Sequence, residues 1–138
     1  MGIKVAVCLD DEGGMMIFGR RQSRDRVLID ELCGSSDGLI YINSFSLPLF
    51  KEHEEKIAVV ENPLAECPDG GTCFIENMAL SPYVDRMERL IVYKWNRLYP
   101  YDVRIDVDLS EFGVIAREDF VGSSHDNITK LTLVKKRK

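Results

Sequence analysis

Glu76 and Asn77 stand at the turn of a stretch, Thr72 to Trp95, that reads as strand, sharp turn, short helix and strand. A unit of this kind binds phosphate when glycines at its turn let backbone close on the anion and the helix aims its positive end at it. Here a carboxylate and an amide occupy the turn, so a side chain fills the approach and a negative charge faces the anion. Two like charges about 4 Å apart repel by roughly 1 kcal/mol in water and by about four times that where partly desolvated. Ser81 is predicted to cap, and Pro82 to open, a short helix to about Met87, which withdraws the dipole from the turn.

Other side chains have the types needed for chemistry. Arg20, Arg21, Arg24 and Arg26 crowd one segment, and guanidinium forks suit phosphate and carboxylate alike. The same set also reads as a solvated face balanced by Asp25, Asp30 and Glu31. Ser123, Ser124, His125 and Asp126 are the residue types of a hydrolytic triad, but neighbours on one turn cannot aim at one another as a triad requires. Cys67, Cys73 and His53 lack ligand spacing and a fourth partner, so no metal site is expected and the four cysteines read as reduced and structural. Asn127, Ile128 and Thr129 spell a glycosylation acceptor that a chain kept inside the cell never uses. Trp95, Tyr99, Pro100 and Tyr101 read as core packing and turn formation, with a partner-binding patch as the alternative.

The elements that position these residues follow from periodicity and punctuation. Ile3 to Leu9 is a strand apolar on both faces, followed by a loop from Asp10 to Gly19. Ser23 is predicted to cap a helix with Asp25 in its first turn, Val27, Leu28 and Leu32 on its buried face and Gly34 at its end. Leu39 to Ile42 and Ile57 to Val60 are strands around a short helix from Ser46 to Glu52. Glu61 to Gly71, rich in proline and glycine, reads as a long loop. Thr72 to Ile75 and Leu90 to Trp95 are further strands. Val103 to Val107 alternates as a strand with one wet face, and Phe112 to Phe120 pairs with Ile128 to Val134.

A chain of 138 residues with 45% hydrophobic and 30% charged content fits one globular α/β domain. Its net charge is −5 even though Lys135, Lys136, Arg137 and Lys138 form a basic tail, so the remainder is more acidic still. An acidic body repels a phosphate backbone, which argues against nucleic-acid binding. The tail reads as a solvated end, or as a contact for RNA or anionic lipid. No apolar run reaches the length of a membrane span and no secretory leader precedes the first strand, so no membrane association and a cytoplasmic location are expected.

This order of segments resembles dihydrofolate reductase over nearly the whole chain, as a short, divergent bacterial member. Ile3 to Gly14 looks like the family's first strand and flexible loop, Cys73 to Tyr93 like its cofactor turn and flanking elements, and Asp119 to Val134 like its closing hairpin. The resemblance implies a single α/β domain over residues 1–138, with a mixed, mainly parallel sheet flanked by short helices and a C-terminal antiparallel hairpin. The family's glycine pair at the dinucleotide pyrophosphate is matched by Glu76 and Asn77. Its phosphate-clasping glycine, arginine and hydroxyl residues are matched by Asn43, Ser44 and Ser46. Its serine–arginine reader of the ribose phosphate is matched by Glu61 and Asn62. These changes share one direction, so loss of NADP binding is expected, with no cofactor. The catalytic carboxylate is matched by Asp25 if one loop residue is deleted, and by Ser23 otherwise; the loop tryptophan is replaced by Phe18. Short relatives labelled ribonuclease Z would need clustered metal ligands, and this chain has only His53 and His125. The expected function is binding of a small anion at Arg20, Arg21 and Arg24, or of a protein partner. The alternatives are a divergent NADP-dependent reductase of a folate or pterin-like substrate with Asp25 as acid, and a structural or interaction subunit.

Overall fold

Strand β1 (Ile3–Leu9) runs through the middle of the molecule, and its apolar residues Ile3, Val5, Ala6, Val7 and Leu9 are at most 2% exposed. Both its faces are covered, as an unbroken apolar run requires. In the computed structural model, which describes residues 2–136, the following elements are β2 (Gly14–Ile17), β3 (Arg20–Arg21), α1 (Arg26–Ser35), β4 (Ile40–Ile42), β5 (Ile57–Val59) and α2 (Pro63–Glu66). Then come β6 (Thr72–Phe74), β7 (Met87–Lys94), β8 (Val103–Arg104), β9 (Phe112–Phe120) and β10 (Ile128–Lys135). Leu47–Lys56 and Ser81–Arg86 are 3₁₀ segments. Arg137 and Lys138 of the basic tail lie outside the described residues.

Among the described residues the main sheet has seven strands in the order β5-β4-β6-β1-β7-β10-β9. β5, β4, β6, β1 and β7 pair in parallel, while β10 runs antiparallel to both β7 and β9. This is the expected mixed, mainly parallel sheet with a closing antiparallel hairpin. Alternation along β1 and β7 divides the core in two. Val5, Val7, Leu90 and Val92 face one side, with Leu64, Leu80, Met15 and Met16. Ala6, Tyr93 and Trp95 face the other, against Leu28, Ile29 and Leu32 of α1 and the edge-on pair Phe50 and Phe74. β9 closes one edge, with Val114 57% and Ile115 52% exposed. No described helix is long and apolar enough to cross a membrane.

Several local expectations change. The Asp10–Gly19 loop contains β2, because Met15 and Met16 are buried and pair into a small antiparallel sheet, β3-β2-β8. Phe18 and Gly19 form its two-residue turn, with φ of 47° and 72°. The α1 cap is Asp25 rather than Ser23, since the Asp25 carboxylate accepts from the Val27 and Leu28 amides. Gly34 does not end α1. Ser35 and Ser36 hydroxyls both donate to the Leu32 carbonyl and carry the helix one residue further. The Glu61–Gly71 stretch holds α2, whose N-terminus is closed reciprocally: Asn62 Oδ1 accepts from the Ala65 amide and Glu66 Oε2 from the Asn62 amide. Ser81 makes no side-chain cap. Asp106 reaches across from a distant loop to accept from the Leu80 and Ser81 amides, a partner that local sequence does not announce. β7 starts at Met87 instead of Leu90, paired with Ile3. Of the Val103–Val107 strand only β8 remains.

Candidate functional site

Asp10, Asn43, Glu76 and Trp95 follow the C-terminal ends of the parallel strands β1, β4, β6 and β7, the edge where open α/β sheets hold ligands. Two built clusters occupy this edge. In the first, the Glu76 carboxylate is gripped from three directions. Arg21 donates through Nε to Oε2 at 3.0 Å and through Nη2 to Oε1 at 3.1 Å, and Ser46 Oγ donates to Oε1 at 2.8 Å. Arg21 Nη2 also reaches the Phe45 carbonyl at 2.9 Å, with its guanidinium 4.7 Å from the centre of the Phe45 ring. Beside it Asn43 Nδ2 donates to Asn77 Oδ1 at 2.9 Å. The short strand β3 carries Arg21 to this place, so the segment after β1 is pinned across the edge.

Asn43, Ser44, Glu61 and Asn77 line an outer groove of about 460 Å³ with Phe45, Val59 and Val60, and no basic side chain belongs to its wall. Asn62 is spent on capping α2 and on donating to Tyr83. Of the arginines, Arg21 is committed to Glu76 and Arg20 is exposed on β3. Arg24 lines a second groove, of about 250 Å³, with Arg26, Lys51, Asp30 and Glu52. The expected set of Arg20, Arg21 and Arg24 is therefore not brought together; Arg24 shares its groove with Arg26 and Lys51 instead.

The second cluster centres on Asp25, 3% exposed. Besides capping α1, its Oδ1 accepts from the amide of Ser123 at 2.9 Å and from the Ser123 hydroxyl at 3.2 Å. Its Oδ2 accepts from the Ser124 amide at 2.8 Å and from His125 Nδ1 at 3.0 Å. Burial alone would raise its pKa, but the His125 bond and the Ser123, Ser124 and Leu28 amides outweigh this and bring it from 3.8 to about 2. His125 lies stacked on Trp95, ring centres 4.5 Å apart, and its Nε2 meets Tyr99 OH at 2.8 Å and Ser23 Oγ at 3.2 Å. Sequence reasoning treated His125 only with its own neighbours. Its partners come from about a hundred residues away, and a lone histidine after an aromatic strand carries no signal of that.

Gly122 makes the cluster possible, because a Cβ there would overlap Asp25 Oδ2 and sit 2.8 Å from Ile128 Cδ1. Gly122→Ala should lower stability by about 1–3 kcal/mol through overpacking, read as a reduced urea midpoint at unchanged slope. Loss of less than about 0.5 kcal/mol would show that the turn moves away freely.

Between the clusters lies a narrow, partly open cavity of about 20 Å³ lined by Cys8, Gln22, Ser23, Leu28, Phe74 and Trp95, among others. That is room for a single water-sized group. His53 lies elsewhere, bonded to Asp30 at 2.7 Å, and no group of three or more His, Cys, Asp or Glu among the described residues is arranged to hold a metal ion.

No family model and no curated protein matches this sequence. Among solved structures the chain is similar to dihydrofolate reductase from Enterococcus faecalis complexed with NADP(H) and RAB-propyl. The TM-score is 0.68 at 9% identity, over 99% of this chain and 97% of that one. At such a sequence distance the architecture is what the two share: this chain has the dihydrofolate reductase fold.

Proposed function

We propose that this protein is a binding module on the dihydrofolate reductase fold that has lost NADP binding and reductase activity and takes a small anion at Arg24, Arg26 and Lys51. The observation that carries this reading is the Glu76 carboxylate held by Arg21 and Ser46. At the turn where a dinucleotide's pyrophosphate would approach, the chain supplies its own anion and consumes the guanidinium fork that would have gripped a foreign one. Three further features support it. A cavity of about 20 Å³ has no room for a bicyclic ring. Asp25, with both oxygens engaged and its pKa brought to about 2, stays ionised and has no proton to give. The groove with Arg24, Arg26 and Lys51 places three cations in one wall, beside the carboxylates of Asp25, Asp30 and Glu52.

The test uses the fluorescence of Trp95 and thermal shift. NADPH and dihydrofolate up to millimolar concentration should leave both unchanged. Phosphate or a small dicarboxylate should raise the melting temperature, by the equivalent of about 2.7 kcal/mol at a hundredfold excess over its dissociation constant. Arg24→Ala with Lys51→Ala should remove that response. Saturable micromolar quenching by NADPH would overturn the reading in favour of a reductase.

A further inference from the structure

Asp25, His125 and Ser23 form one line of hydrogen bonds that ends at the narrow cavity. Asp25 is ionised and can only accept, so His125 Nδ1 carries a proton toward it and Nε2 is the ring nitrogen that faces the hydroxyls. Nε2 meets Tyr99 OH at 2.8 Å and Ser23 Oγ at 3.2 Å, and Tyr99 OH also donates to Ser23 Oγ at 3.4 Å. The Ser123 and Ser124 amides hold the carboxylate from behind, and Trp95 holds the imidazole plane. Ser23 is the half-buried end of the line and lines the cavity, while His125 behind it is buried. Cys8 on the same wall is no rival nucleophile. Burial, then the charges of Glu76 and Asp25, push its thiol well up, so it stays protonated.

From this connectivity we infer that Ser23 is an acyl-accepting nucleophile, with His125 as its general base and Asp25 as the group that orients it, acting on esters of short carboxylic acids. Ser23 Oγ bonds to the ester carbonyl carbon as its proton passes to His125 Nε2. The carbon–oxygen bond to the alcohol then breaks, and the imidazolium returns the proton to the leaving alkoxide. Water deprotonated by the same nitrogen attacks the acyl-serine, releases the acid and restores Ser23. Tyr99, 2.8 Å from Nε2, offers its oxygen to the imidazolium proton while the charge lasts. The narrow space beside Ser23, about 20 Å³ and open on one side, favours short acyl groups, acetate first. Gln22 Oε1, buried without a hydrogen-bond partner in the same wall, provides an acceptor for the hydrolytic water. The arginine groove takes no part, so this inference and the proposed anion binding fail separately.

The experiment treats the full chain with a fluorophosphonate probe near pH 8, maps the labelled peptide by mass spectrometry, and follows p-nitrophenyl acetate turnover. A single label on Ser23 is expected, lost in Ser23→Ala, with acetate turnover down at least about a hundredfold in Ser23→Ala and in His125→Gln. Should His125→Gln fail to fold, the map and the Ser23→Ala variant decide, the latter checked by circular dichroism. An unlabelled wild-type chain, a label on another residue, or labelling that persists in folded Ser23→Ala would overturn the inference.

Discussion

Replacing Asp25 with alanine should cost about 3–5 kcal/mol, the largest loss expected from any single polar change in this chain. The variant leaves the Leu28 amide and His125 Nδ1 without their buried acceptor and frees the part-buried amides of Val27, Ser123 and Ser124. It removes the helix cap and the anchor of the closing hairpin's turn together. The same carboxylate sets an acid limit. Its pKa is about 2 in the folded chain against 3.8 ordinarily, so its contribution is complete above the unfolded value and is lost as pH falls through the folded one. The difference corresponds to about 2 kcal/mol. Urea denaturation at pH 7 and between pH 4 and 2 measures both effects: the wild type should lose stability across the acid range, and the alanine variant should be weaker throughout with a smaller acid loss. An alanine variant within 1 kcal/mol of wild type at pH 7 would mean that the network is incidental.

Glu76→Ala should produce the second largest effect, and in two directions. Removing one partner of an ion pair whose side chains are 21% and 9% exposed lies between the surface and buried cases, so a loss of about 2 kcal/mol is expected. Arg21 and Ser46 then lack their acceptor at the turn, and an external anion can replace it. Sulfate or phosphate should therefore stabilise the variant measurably more than the wild type, and Arg21→Ala should abolish the gain. In a double-mutant cycle the two residues should couple by at least about 1 kcal/mol. Equal sulfate responses in both proteins would show that the turn does not select for charge.

What could be read in the sequence was whatever local pattern determines. β1 and the β9–β10 pair follow from apolar periodicity, and Glu76 at a turn declares itself by type. Met15 and Met16 escaped because a strand of four residues has too few alternations to separate from an apolar loop. α2 was legible in principle, since Asn62, Pro63 and Glu66 are a cap, a first-turn residue and a return contact, but the surrounding prolines and glycines outweighed them. The Asp25–His125 contact and the Asp106 reach to Ser81 lie beyond any local rule. Both are made by tertiary placement, at separations of 100 and 25 residues. Arg20, Arg21 and Arg24 show the same limit in reverse: neighbours in sequence on a two-residue strand and just before a helix cap go to different places.

The outer strand β9 has a consequence for behaviour at high concentration. Its free edge is a template for another strand, and Val114 and Ile115 give it the apolar character that promotes such growth. Arg117, Glu118 and Asp119 follow at once, with Arg117 and Asp119 paired at 3.3 Å. Two copies meeting edge to edge about Arg117 or Glu118 would set like charges face to face, and about Asp119 likewise. The sheet thus carries its own gatekeepers against fibril-like stacking, and neutralising those three positions would expose the chain to it.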